Sequence, residues 1–168
     1  LVFFNTSGEV VGSTKVQNFY NGQFSENGEY FFGITGSGNL IKYSNTGRQV
    51  QDYGSATRYY SSFDASRVAV VADTVTRIFS GESVINTWPI PAKSLREIRF
   101  SRDNRMVATL YSDRFDVLDV DAGSLIAQHT LDDATYRFFH FDADPNFNFF
   151  VCSANNSADS PEIKNTKG

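Results

Sequence analysis

Four segments of this 168-residue chain repeat one pattern, and that recurrence constrains the fold more than any single motif. Each is an apolar strand end, a short polar turn and a second apolar strand, over residues 23–32, 62–70, 99–108 and 140–151. The anchoring phenylalanines are Phe24, Phe63, Phe100 and Phe141, at intervals of about 39, 37 and 41 residues, within the span of a blade-sized repeat. Turns such as Glu26-Asn27-Gly28 and Ala143-Asp144-Pro145 carry the small, polar, Gly or Pro residues that a tight reversal needs. Each segment therefore reads as a β-hairpin.

A third strand follows each of the first three hairpins: Leu40-Ile41-Lys42-Tyr43, Val75-Thr76-Arg77-Ile78-Phe79 and Phe115-Asp116-Val117-Leu118-Asp119-Val120. Each then meets a Gly-containing turn and a fourth strand, beginning at Arg48, Glu82 and Ser124. Four strands per repeat of about forty residues is the make-up of a β-propeller blade. Sixteen Phe and eight Tyr agree with this, since aromatic and β-branched residues suit pleated, half-buried surfaces. The expected fold is all-β, with blades of four antiparallel strands, about three complete and one split or partial. Helix is not expected, because the best competing segment, 90–99, begins with two prolines close together.

The opening residues Leu1-Val2-Phe3-Phe4-Asn5-Thr6-Ser7-Gly8 align with Leu40-Ile41-Lys42-Tyr43-Ser44-Asn45-Thr46-Gly47, so the chain reads from the third strand of a blade. Residues 136–141 and 147–153 read as first and second strands, placing a propeller over 1–153. The stretch 154–168 is rich in Asn, Ser, Asp and Lys and reads as a polar, flexible tail without a convincing strand. Three arrangements stand open: a four-bladed ring closed by the two ends, a half-propeller completed by a homodimer, or blades excerpted from a longer ring.

The repeat resembles the WD-repeat and related β-propellers. The match is closest over Ile98-Arg99-Phe100-Ser101-Arg102-Asp103-Asn104-Arg105-Met106-Val107-Ala108-Thr109 and Phe115-Asp116-Val117-Leu118-Asp119. Leu118-Asp119 stands where that family carries Trp-Asp, with Tyr43-Ser44 and Phe79-Ser80 at the equivalent places, and no Gly-His dipeptide occurs. The resemblance implies a scaffold whose face, rim or channel binds other macromolecules; the fold alone does not settle function.

A net charge of −4 argues against a general nucleic-acid or anionic-membrane partner. No apolar run is long enough for a membrane-spanning helix. The lone Cys152 excludes an intramolecular disulfide and a multi-cysteine zinc site. Of the two histidines, His129 reads as outer-strand and His140 as a packed inner-strand residue, and neither has metal-ligand spacing. The Gly-x-Ser-x-Gly elbow is missing. Thr35-Gly36-Ser37-Gly38-Asn39 lacks the Lys and following helix of a phosphate loop and reads as a turn. The carboxylates Asp113, Asp116, Asp119 and Asp121 read as solvated turn residues, because strand alternation separates them. No cofactor and no metal site are expected.

Four residues before each anchoring Phe stand Tyr20, Tyr59, Arg96 and Arg137, with Arg58, Arg99 and Tyr136 beside them. By the family's geometry, these starts of inner strands gather at one mouth of the channel, and Tyr and Arg often dominate interface energetics. The expectation is a non-catalytic scaffold binding a protein or peptide there. The alternative is a propeller enzyme or small-ligand sensor with its site in the channel near His140 and Asp113. RNA stacking on the Tyr and Arg belt is a lesser reading.

Overall fold

The protein is described by a computed structural model covering residues 1–15, 18–89 and 95–130, together with the backbone of three strands beyond them. The strands are β1 (Val2–Phe4), β2 (Val10–Ser13), β3 (Phe19–Phe24), β4 (Tyr30–Thr35), β5 (Asn39–Ser44) and β6 (Gln49–Ser55). They continue as β7 (Arg58–Ser61), β8 (Arg67–Ala72), β9 (Val75–Ser80), β10 (Ser83–Pro89), β11 (Leu95–Phe100), β12 (Met106–Tyr111), β13 (Arg114–Asp119) and β14 (Leu125–Thr130). β15 (Tyr136–His140), β16 (Phe149–Ala154) and β17 (Glu162–Asn165) complete the series, and the described residues contain no helix. Three antiparallel four-stranded sheets, β3–β6, β7–β10 and β11–β14, are the three expected blades.

Outside the three blades, the remaining strands show two features. β1 and β2 form a sheet by themselves, while β15, β16 and β17 form another, so the two ends do not share one blade within the chain. Strand β17 also lies inside the stretch 154–168 that read as a tail: polar composition did not prevent Glu162–Asn165 from pairing with Phe149–Cys152. The backbone there finds its hydrogen bonds on the edge of β16, whatever its side chains.

The repeat is visible in the register. Val2 pairs with Ser13, Phe3 with Gly12 and Phe4 with Val10, with an irregularity between Phe3 and Phe4. Thirty-nine residues on, Ile41 pairs with Asp52, Lys42 with Gln51 and Tyr43 with Gln49, with the irregularity at the same place. β1–β2 is thus the outer half of a blade, as the alignment of the first residues predicts. Gly12, Gln51 and Asn86 are equivalent positions, and each leans on the turn between the third and fourth strands of the next blade. A Cβ on Gly12 would lie 1.7 Å from the Thr46 carbonyl oxygen, Gln51 donates to the Gly81 carbonyl at 2.9 Å, and Asn86 donates to the Val120 carbonyl at 2.6 Å.

Apolar layers fill the gaps between sheets. Phe3, Phe31, Ile41 and Tyr43 join β1 to the first blade. Phe32, Leu40, Tyr53, Tyr59, Val68 and Phe79 join the first to the second. Ala69, Ile78, Trp88, Leu95, Ile98 and Val107 join the second to the third. Trp88, at the end of β10, is buried in this last layer. Each blade buries its middle strands on both faces, which is why they read as continuous apolar runs.

The hairpins share one turn device. Ser25, Ser62 and Ser101 donate through Oγ to Asn27, Asp64 and Asp103 at 2.7, 2.8 and 2.6 Å. The next residues, Gly28, Ala65 and Asn104, take φ of 74°, 56° and 62°, a region that costs a non-Gly residue strain. This register corrects the anchor of the second blade. Ser61, not Phe63, occupies the place of Phe24 and Phe100, since they face Val68, Phe31 and Val107. Phe63 is a turn residue equivalent to Glu26 and Arg102; it is 41% exposed, with the Arg102 guanidinium 5.2 Å above its ring.

The turns also bridge blades. Asn104 donates through Nδ2 to both Asp64 oxygens, at 3.0 and 3.1 Å. Burial pushes the Asp64 carboxyl up, but hydrogen bonds from the Ser66 backbone and the Ser62, Ser66 and Asn104 side chains outweigh it, holding its pKa at about 2. A carboxylate depressed below its ordinary 3.8 contributes stability above that value and loses it as pH falls through about 2. Asp64→Ala is accordingly expected to lower the thermal midpoint at neutral pH and to flatten the decline between pH 4 and 2. Thermal melts across that range check it; an unchanged acid limb counts against the bridge.

Candidate inner-strand groove

β3, β7 and β11 are the first strands of their blades, and their side chains and carbonyls join across the gaps. The Tyr59 hydroxyl donates to the Asn21 carbonyl at 2.7 Å and to the Phe32 carbonyl at 3.2 Å. Arg58 donates through Nη1 to the Leu95 carbonyl at 2.9 Å. The Tyr60 hydroxyl donates to the Arg96 carbonyl at 3.2 Å. Two adjoining clefts follow this seam. One, of about 310 Å3, is lined by Asn21, Gly22, Gln23, Arg58, Tyr59 and Tyr60. The other, of about 260 Å3, shares Gln23, Tyr59 and Tyr60 and extends over Phe24, Glu26, Glu97 and Arg99.

Arg99 is the charged centre of the second cleft. Its Nε and Nη2 both lie 2.6 Å from Glu97 Oε1, and its Nη1 is 3.8 Å from Glu26 Oε1. Side chains two apart on a strand share a face, which lets Glu97 hold Arg99. The Arg99 side chain remains 46% exposed. Burial raises the Tyr60 phenol, assisted by Glu97 and opposed by Arg58 and Arg99. Neutral phenols, guanidinium and amide groups make this a hydrogen-bonding surface.

The seven residues of the predicted belt separate accordingly. Arg58, Tyr59 and Arg99 line the clefts, while Tyr20 on β3 and Arg96 on β11 are exposed and line neither of them. Tyr59 is a correction: it is buried in the layer between the first two blades. The shift of anchor from Phe63 to Ser61 is the cause, because it places Tyr59 level with Ile98, a core residue, and not with Arg96. Tyr136 and Arg137 begin β15, but their side chains lie outside the described residues. Gln23, Phe24 and Glu26 were not singled out as site residues. Gln23 and Phe24 occupy the strand places of Tyr60 and Ser61, so the correct repeat register would have found them.

Other candidates resolve differently. Asp116 accepts from Gln128 at 2.8 Å and from Arg114 at 3.3 Å. Asp119 accepts from the Ala122 backbone at 2.6 Å, and Asp121 pairs with Arg67 at 3.4 Å. Among the described residues no three His, Cys, Asp or Glu side chains gather as a metal site. His129 stacks on Phe115 at 4.8 Å on the outer strand, and the side chain of His140 lies outside the described residues. Thr35 to Asn39 is a turn closed by Gly38 N donating to the Thr35 carbonyl at 2.8 Å.

No family model matches the sequence, and no curated protein matches it. Among solved structures it is similar to a chain of Kuenenia stuttgartiensis hydrazine synthase, at 12% identity and a TM-score of 0.63. The likeness covers 92% of this chain and 48% of that one. The fold is that of β-propeller blades. At this identity the likeness speaks of fold alone, and the chain spans about half the length of that neighbour.

Proposed function

We propose that the chain is a WD-like, non-catalytic propeller scaffold that binds a protein or peptide along the seam of β3, β7 and β11. The observation that carries this reading is the half-exposed Arg99, held by Glu97 beside the exposed Phe24 and the Tyr60 ring. Arg and aromatic side chains that keep their rotamers before binding lose little entropy on contact, which is what makes such residues energetically dominant in interfaces. The two clefts run side by side, which suits an extended chain more than a compact metabolite. The first cleft alone, at about 310 Å3, reaches the size of a small-molecule site, which is the observation behind the alternative of a propeller enzyme or small-ligand sensor.

A peptide-library selection on the intact chain, followed by affinity measurement, separates the two. Arg99→Ala and Arg96→Ala are each expected to weaken the selected peptide by about tenfold or more, the loss of about 1.4 kcal/mol or more. Unaltered affinity in both variants removes the groove as the binding surface. A thermal-shift screen in which a small metabolite stabilises the chain, with no peptide selected, favours the sensor.

A further inference from the structure

We propose that Asn21-Gly22 on β3 is a site of spontaneous deamidation, left open by the fold while the other Asn-Gly pair, Asn27-Gly28, is closed. This is independent of what the groove binds. The nucleophile of the reaction is the backbone nitrogen after the Asn, and Gly shields that nitrogen least because it has no Cβ. Both dipeptides meet this requirement of sequence, and the structure separates them. Asn27 is held at both ends of its carboxamide. Its Oδ1 accepts from the Ser25 hydroxyl at 2.7 Å and from the Glu29 backbone at 3.2 Å, and its Nδ2 donates to Glu29 Oε2 at 3.0 Å. The nitrogen that would attack it is engaged too, since Gly28 N donates to the Ser25 carbonyl at 2.9 Å.

Asn21 lacks these restraints. Among the described residues its carboxamide makes no hydrogen bond, while its backbone carbonyl accepts from the Tyr59 hydroxyl at 2.7 Å. The ladder passes from Tyr20–Ile34 to Gln23–Phe32, so Asn21 and Gly22 form a bulge without partners in the register. Both are exposed, and Asn21 takes φ of 53°, a conformation that stores strain. Ring closure in a folded chain waits on local opening, which costs least where the fewest hydrogen bonds must break. The step balances as an amide hydrolysis. The deprotonated Gly22 nitrogen bonds to Asn21 Cγ, the Cγ–Nδ2 bond breaks, and Nδ2 leaves as ammonia. Water then opens the cyclic imide, giving aspartate by addition at Cγ or isoaspartate by addition at the backbone carbonyl; nothing is oxidised or reduced. Either product places a new carboxylate in the cleft that Arg58 also lines. In the isoaspartate, the oxygen that accepts from Tyr59 becomes part of that carboxylate, so the tie between β3 and β7 is remade.

Peptide mapping by mass spectrometry, on the intact chain aged at mildly alkaline pH, tests this. The mass gain of amide-to-acid conversion is expected to accumulate at position 21 at least about tenfold faster than at position 27, the ratio given by about 1.4 kcal/mol of extra restraint. In urea above the unfolding midpoint the two sites are expected to convert at similar rates. An isoaspartyl methyltransferase is expected to label the aged chain strongly and aged Asn21→Gln weakly, with the circular dichroism spectrum of Asn21→Gln matching that of the parent. Equal rates at the two sites in the folded chain would overturn the proposal. So would a folded chain unmodified at position 21 over a time in which the unfolded chain converts, or equal labelling of Asn21→Gln.

Discussion

Replacing Phe32 by Ala is expected to destabilise the protein by about 3–5 kcal/mol, the range for a large aromatic removed from a packed core. Phe32 is completely buried, its ring 5.7 Å from that of Tyr59 and 6.4 Å from that of Tyr53. All three belong to the apolar layer between the first and second blades. Truncation opens a cavity in a sheet-to-sheet layer that can collapse little, because hydrogen-bonded strands bound it on both sides. It also removes the ring that supports Tyr59, whose hydroxyl ties β7 to the first blade through the Asn21 carbonyl of β3 and the Phe32 carbonyl of β4. Against total stabilities of about 5–15 kcal/mol, this loss is large enough to shift the urea midpoint strongly. A loss under about 1 kcal/mol would contradict the packing described.

Trp88→Ala should have an effect of similar size, about 3–5 kcal/mol, but by separating a different pair of blades. The indole lies in the layer that includes Leu95, Ile98 and Val107, at the end of β10 just before the chain passes to the third blade. Its Nε1 is buried with no hydrogen-bond partner among the described residues, so one polar group opposes the apolar gain there. Trp88→Phe keeps most of the ring contact and removes that unsatisfied donor, and it should cost much less than Trp88→Ala. Denaturant unfolding of the two variants side by side checks the prediction. Equal losses would mean that the indole nitrogen has a partner or that ring volume is unimportant there.

The legible part of the fold came from local signals. Hairpin turns announce themselves because a reversal needs specific residues: Gly47, Gly81 and Gly123 all take positive φ where the turns between third and fourth strands were expected. The equivalence of β1 with β5 was also readable, since aligned sequence there matches an aligned ladder down to the shared irregularity. The second blade shows where this fails. Phe63 looks like an anchor by type and spacing, yet the turn requirement at Ser62-x-Asp64 outranks the apolar preference and leaves Phe63 exposed. The Ser-x-Asx pattern at Ser25, Ser62 and Ser101 was the better signal, because its hydrogen bonds define the turn.

The groove was half legible for the same reason. Arg58 and Arg99 were named from the sequence and line the clefts, where Glu97 holds Arg99 at 2.6 Å. Tyr59 was assigned to the surface on the faulty register and is core instead. Lys42 went unremarked: it is buried with its ammonium donating to the Ala65 carbonyl at 2.8 Å and 3.8 Å from the Tyr30 ring centroid. Desolvation lowers its pKa, with Asp64 and Glu29 opposing. A third strand with a lysine between Ile41 and Tyr43 gives no warning that the next blade will offer a carbonyl to receive it.

By itself the sequence determined the period, the four strands per blade and the outer-half-blade character of β1–β2, because turn chemistry and two-residue alternation are local and are written into neighbouring residues. Only the tertiary structure decided which face of each strand is covered, which inner strands meet across a seam, and that the two ends occupy separate sheets. Those outcomes depend on contacts between residues roughly one repeat apart, such as Tyr59 with Asn21 and Arg58 with Leu95. A shift of two residues in strand register preserves the alternation that a sequence displays while moving every such contact to a different partner.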